Sequence, residues 1–226
     1  MVIMAHPDDP EFFCGGTVAQ WAAAGAEVTY LILTNGNKGS DDPDMTPEKL
    51  IEVRQKEQRA AADVLGVKDI VFFDEPDGEL QSTLELRRRV VAEIRRYKPD
   101  IVIGPDPSRF FFANTYINHA DHRAAGLVTI DAVFPAARNR MYHPQLLEMG
   151  LEPHTVKEVF LAGPDQPNRW VDITPVFETK LKAILCHASQ IKDPAELTER
   201  WTERSKDVDE YGREVFREDF RVMEIG

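Results

Sequence analysis

Histidines and carboxylates occur twice in this chain at spacings that suit a metal ion. His6-Pro7-Asp8-Asp9 ends a short apolar run, Val2 to Ala5, and His119-Ala120-Asp121-His122 lies mid-chain. His6 and Asp9 are good ligands for a borderline metal such as zinc, and Pro7 stiffens a turn that can aim both inward. His119 and His122, at i and i+3, share one face of a helix. Two histidines and one carboxylate give three protein ligands with a fourth position left open, the layout of a catalytic zinc site. Such a metal acidifies a water and polarises a carbonyl, but amide hydrolysis also needs a base and an acid. The favoured arrangement has His6, Asp9 and His122 as ligands, Asp8 as base and His119 as the group that stabilises the oxyanion and protonates the leaving amine. Spacing alone leaves the choice between His119 and His122 as ligand open.

The elements around these clusters read as an α/β chain. Short β-branched runs alternate with longer helical patterns, the signature of βαβ units and a parallel sheet. Strands are predicted at Val2 to Ala5, Glu27 to Thr34, Asp69 to Asp74 and Asp100 to Pro107. Helices are predicted from Gly16 onward, over 47–66 with Pro47 in the first turn and Gly66 at the cap, over 83–99, and from near Asn118 to Phe134. Beyond residue 137 the pattern loosens. "KEVFLAG" and "RWVDIT" read as strands; "VFETKLKAILCHAS" and "PAELTERWTERSKDVDE" read as helices. The expected fold is a single domain over 1–226, a Rossmann-like, mostly parallel sheet with helices on both faces. Its motif-bearing core is 1–137, and 138–226 adds strands and helices. In such a sheet ligands bind beyond the carboxyl ends of the strands, where three polar clusters fall: His6 to Asp9, Thr34 to Ser40 and Asp106 to His122.

Composition narrows the classes of function. The chain has 226 residues, 42% of them hydrophobic, and a net charge of −12 with no polybasic run, which argues against nucleic acid as a partner. Its two cysteines, Cys14 and Cys186, form no C-x-x-C pair, so a reduced, cytoplasmic setting is expected. No apolar stretch approaches the ~20 residues of a membrane span. A strand beginning at residue 2 leaves room for a longer natural N-terminus.

The motifs also resemble a known family. "AHPDDPEFFCGGT" is similar to the A-H-P-D-D-x-E…G-G-T signature of the PIG-L / LmbE-like zinc-dependent N-acetylglucosamine deacetylases, and "NHADH" to its H-x-D-H signature. "TNGNKG" (Thr34 to Gly39) resembles the family's T-x-G-x-x-G loop, and "RQKEQRAAADVLGV" its R-x-x-E…A…L-G helix. The four motifs run in the family's order along about the first 130 residues. The resemblance implies zinc on His6, Asp9 and His122, with Asp8 as base and His119 aiding the transition state. It further implies Asp121 orienting His119, Arg54 reaching the substrate's sugar or its polar appendage, and an assembly that is often a homo-oligomer.

The expected function is therefore removal of an N-acetyl group from an N-acetylglucosamine-type sugar or conjugate. The alternatives are a metal-dependent amidase acting on a non-sugar amide, and a nucleotide or sugar-nucleotide binding module. The last would call for a glycine-rich turn after the first strand, where His-Pro-Asp-Asp stands instead.

Several residues keep two readings. Arg54 is either a substrate contact or the partner of Glu52 or Glu57 on its own helix. Phe110 to Phe112 form either a hydrophobic rim over the site or a subunit contact. His187 either borders the pocket or is structural. Cys14 reads as a small buried side chain. Glu11 matches the family pattern and has no role beyond a partner to a ligand.

Overall fold

A computed structural model describes residues 1–225. In chain order the elements are β1 (Val2–Met4), α1 (Asp9–Ala23), β2 (Thr29–Thr34), α2 (Pro47–Leu65), β3 (Asp69–Glu75), α3 (Leu84–Tyr97) and β4 (Ile101–Pro105). A small hairpin follows, β5 (Phe111–Phe112) and β6 (Tyr116–Ile117), then α4 (Ala120–Asp131) and α5 (Gln145–Glu148). The last third holds β7 (Glu158–Ala162), β8 (Arg169–Asp172), α6 (Phe177–Ile184), α7 (Pro194–Ser205), β9 (Lys206–Val208) and β10 (Glu214–Glu224).

The main sheet runs β3-β2-β1-β4-β7-β10-β8, with β9 on β10. Strands β3 through β7 in that order pair in parallel, and β10 pairs antiparallel with β7, β8 and β9. Side chains along the central strands alternate between two cores. Ile3, Leu31 and Val102 pack with Leu86, Val90, Ile94 and Val128 of α3 and α4. Met4, Tyr30 and Ile103 pack on the opposite face with Val18, Ala61, Leu65 and Ala183 of α1, α2 and α6. The strand order reverses between β1 and β4, so the crevice at their carboxyl ends is where this topology seats a ligand. Among the described residues no helix is long and apolar enough to cross a membrane.

Caps set several boundaries as the sequence predicts: Thr46 and Thr83 accept from Lys49 and Leu86, and Gly66 closes α2. Two features differ from the sequence reading. Residues 206–208 leave the helix predicted there and pair with β10, a long strand whose charged, irregular pattern hid it. The other is α1, which begins at Asp9 rather than Gly16 and breaks at Cys14.

That break is held from the far end of the chain. The amides of Gly16 and Thr17, which open the second half of α1, donate to Glu218 of β10 at 2.9 and 2.8 Å. Lys180 of α6 pairs with Glu218 and also donates to the Phe12 carbonyl at 3.1 Å, satisfying the first half. Gly16 is required by proximity: a Cβ there would lie 2.7 Å from Ile173. Both members of the ion pair are 3% exposed, and removing one partner of a buried pair costs about 3–5 kcal/mol. Glu218→Ala is accordingly expected to lower the stability read from a denaturant midpoint by about that amount.

Candidate active site

The turn after β1 delivers His6 and Asp9, and the first turn of α4 delivers His119, Asp121 and His122. Asp9 stands between two imidazoles. Its Oδ2 lies 3.3 Å from His6 Nδ1 and its Oδ1 3.1 Å from His122 Nε2. One ligand atom from each of the three falls within 4.8 Å of the others, and all three residues are buried. Each imidazole is fixed through its other nitrogen. His6 Nε2 meets Asp121 and Asp77 at 3.2 Å each, and His122 Nδ1 meets Asn118 Oδ1 at 2.9 Å. Outer partners of this kind set the tautomer and aim of a metal ligand.

The structure separates the two mid-chain histidines. His122 faces Asp9, whereas His119 caps α4, its Nδ1 accepting the Asp121 amide at 3.2 Å. With Nδ1 an acceptor, a neutral His119 carries its proton on Nε2. Burial and the nearby His6 hold its pKa below the ordinary value. A second set, His6, His119 and Asp121, is equally close. There the carboxylate is already engaged, accepting from Gly78 and Leu80 amides at 2.6 and 3.2 Å. That anchoring differs from what the resemblance implies for Asp121. Its carboxylate bonds His6 and the turn after β3, and only its backbone bonds His119.

Asp8 lies beside the ligands in an unusual backbone conformation, φ 104° and ψ −33°, a strain of about 1–3 kcal/mol for a non-glycine residue. Arg54 helps hold it there. Its guanidinium donates to Asp8 Oδ2 at 3.1 Å, to the Pro7 carbonyl at 2.6 Å and to the Gly36 carbonyl at 3.2 Å. Gly36, at φ +67°, and Gly39 leave the room it needs, since a Cβ on either would come within 2.7 Å of Arg54 Nη1. The expected pairing of Arg54 with Glu52 or Glu57 is not formed; Glu57 accepts from Ser189 instead. Arg54 does line the cleft, yet its nearest contacts are with the chain's own Asp8 carboxylate and Pro7 carbonyl. Burial lifts the Asp8 carboxyl to about 6, against the pull of Arg54.

The donor set fits a divalent cation. Three carboxylates, Asp9, Asp77 and Asp121, meet His6, and Asp8 lies beside them, with the Arg54 guanidinium 3.1 Å from Asp8 and 3.6 Å from Asp77. Burial disfavours a charge on His6, but Asp9, Asp121 and Asp77 outweigh it and hold its pKa well above the usual value. The same ring of carboxylates is complementary to a cation, and a metal ion bound by His6 would take the place of its proton.

A cleft of about 820 Å³ opens over these residues, walled by Phe12, Phe13, Phe112 and Trp201, within the ordinary size of a small-molecule site. Phe111 and Phe112 form β5, paired with Tyr116 and Ile117 of β6 in a hairpin beside the cleft. Phe112 faces the cleft under Arg109, while Phe110 and Phe111 are exposed. His187 is fully buried against Glu11 and stands apart from the cleft lining. Cys14 is buried, and burial raises its thiol pKa well above the usual value. Sequence reasoning missed Asp77 and Gln58. The run Asp74-Glu75-Pro76-Asp77-Gly78, an acidic turn at the carboxyl end of β3, was the available signal for Asp77; nothing in the pattern of α2 singled out Gln58.

The sequence model of PIG-L, described as GlcNAc-PI de-N-acetylase, matches residues 1–133, which hold both His/Asp clusters and Arg54. The chain belongs to the PIG-L family. Among its relatives, a diacetylchitobiose deacetylase of Thermococcus kodakarensis is 37% identical over 201 residues, covering 89% of this chain and 72% of that protein. A 4-oxalmesaconate hydratase of Pseudomonas putida is 27% identical over 205 residues, covering 84% of this chain and 73% of that protein. The solved structure of an N,N'-diacetylchitobiose deacetylase from Pyrococcus horikoshii, complexed with its inhibitor MPG, superposes with a TM-score of 0.87 at 32% identity, covering 99% of this chain and 82% of that one.

Titration of chelator-stripped protein with Zn²⁺ is expected to give one tight site per chain. At a thousandfold excess over Kd the added stability is about 4 kcal/mol, seen as a higher melting temperature. Asp9→Ala is expected to abolish both signals.

Proposed function

We propose that this chain is a zinc-dependent hydrolase that removes the N-acetyl group from an N-acetylglucosamine-type sugar or conjugate. The observation that carries the reading is Asp9 set between His6 Nδ1 and His122 Nε2 with Asp8 beside it. Two histidines and a carboxylate suit zinc with one position open. The deacetylase relatives at 37% and 32% identity support an acetamido sugar as substrate.

When bound, the metal supplies Lewis-acid polarisation of the amide carbonyl and acidifies a water. The chain's own residues do the rest. Asp8 is the base that takes a proton from the attacking water. Burial has raised its pKa toward neutrality, where a base is most effective. His119 stays neutral and donates its Nε2–H as a hydrogen bond to the developing oxyanion, while the proton that Asp8 took from the water passes on to the leaving nitrogen. Arg54 restrains Asp8, and Asp121 and Asp77 restrain His6. The aromatic walls offer apolar faces to a sugar ring and shield the reaction from bulk water.

Acetate release from free N-acetylglucosamine, from its β-linked disaccharide and from N-acetyl amino acids tests the substrate class. The expected order places the sugars far ahead, and a preference for N-acetyl amino acids would move the assignment to a general amidase. A hydration assay on 4-oxalmesaconate, run in parallel, checks the chemistry named for the 27%-identical hydratase. Asp8→Asn is expected to retain zinc and lose about 10²–10⁴-fold in kcat; full activity in this variant refutes the base assignment.

A further inference from the structure

Glu11 lies outside the chemistry above, yet it is fully buried two residues beyond a proposed ligand. Its carboxylate has no access to water and must find donors within the protein. Gln58 of α2 donates from Nε2 to both oxygens, at 3.0 and 3.1 Å, and His187 Nε2 meets Oε2 at 3.0 Å. A carboxylate only accepts, so the face of the Gln58 amide turned toward Glu11 must be its NH2. The other face is then the carbonyl, and Oε1 accepts the backbone amide of Asp8 at 2.8 Å. Asp8 is the residue whose φ of 104° gives its backbone amide an aim that ordinary turns do not.

We infer that Glu11 and Gln58 are positioning residues for the base: Glu11 dictates which way the Gln58 amide faces, and Gln58 in turn pins the Asp8 backbone in the conformation that presents its carboxylate. This rests on the assignment of Asp8 as base. Neither residue is assigned a contact with substrate or metal; both work through Asp8. His187 completes the chain, meeting Glu11 Oε2 at 3.0 Å and linking the segment after α6 to the catalytic turn. The arrangement divides the restraint of Asp8 in two. Arg54 holds its side chain, and the Gln58 carbonyl holds its main chain.

The polarity of the relay supplies its own test. Glu11→Gln removes the instruction, since a neutral amide can present either face to Gln58. Gln58→Met keeps the bulk and removes both bonds. Each is expected to lower kcat about 10- to 100-fold, the range for outer partners of a site, while KM and bound zinc per folded chain stay near wild type. The double variant Glu11→Gln with Gln58→Glu reverses donor and acceptor: the amide introduced at position 11 donates, and the carboxylate introduced at position 58 accepts both from it and from the Asp8 amide. It is expected to recover most of the kcat lost by Glu11→Gln, a non-additivity that general destabilisation does not produce. Unchanged kcat in Gln58→Met, losses that track zinc content or folded fraction, or a double variant no better than the product of the single effects would overturn the inference. Asp8→Asn, assayed alongside, keeps the two questions apart. If it stays active the base assignment fails, whereas an inactive Asp8→Asn with a fully active Gln58→Met sinks only the relay.

Discussion

Four carboxylates gathered at one end of a buried strand set the terms for everything near them. Negative charges this close repel one another, and out of water that repulsion is barely screened. The fold meets the problem with every compensating device available to it. Imidazoles bridge the acids, one guanidinium reaches in from α2, and two main-chain amides from the turn after β3 clamp Asp121. A cation is the remaining compensation, and its place is already outlined by atoms that face one another across Asp9. Geometry that would be frustrated in a purely structural protein is here the means of binding.

Much of the fold was legible because the parallel half is built from local signals. Strands β1 to β4 are short β-branched runs, and α2 and α3 carry threonine caps and amphipathic faces, so each element announces itself. The antiparallel half is not like that. Strand β10 alternates acids, arginines and aromatics, and its identity as a strand comes from pairing with β7, β8 and β9 rather than from its own composition. A propensity-based reading therefore carries α7 past Ser205 and misses both β9 and β10.

The candidate site divides in the same way. His6, Asp8, Asp9, His119, Asp121 and His122 stand out because titratable residues at strand ends and fixed spacing are rare without a cause. Roles are harder to read than membership. Which nitrogen of His6 faces Asp9, and whether the Asp121 carboxylate turns to His6 or to His119, depends on a turn from β3 that no spacing rule connects to α4. Arg54 shows the limit well. Its motif marks it as functional, but only the glycines at 36 and 39, brought close by the loop after β2, reveal that the guanidinium lies across Pro7 and Asp8 rather than along its own helix.

The contact between Gly16 and Glu218 joins residues 202 positions apart, and it secures the break that lets the first turns of α1 belong to the catalytic cluster. Closing so long a loop carries an entropic cost, though one that grows only slowly with its length. The turn that carries Asp8 and Asp9 is thus steadied by a strand two hundred residues away, so a change at Glu218 reaches the catalytic turn through the backbone of α1.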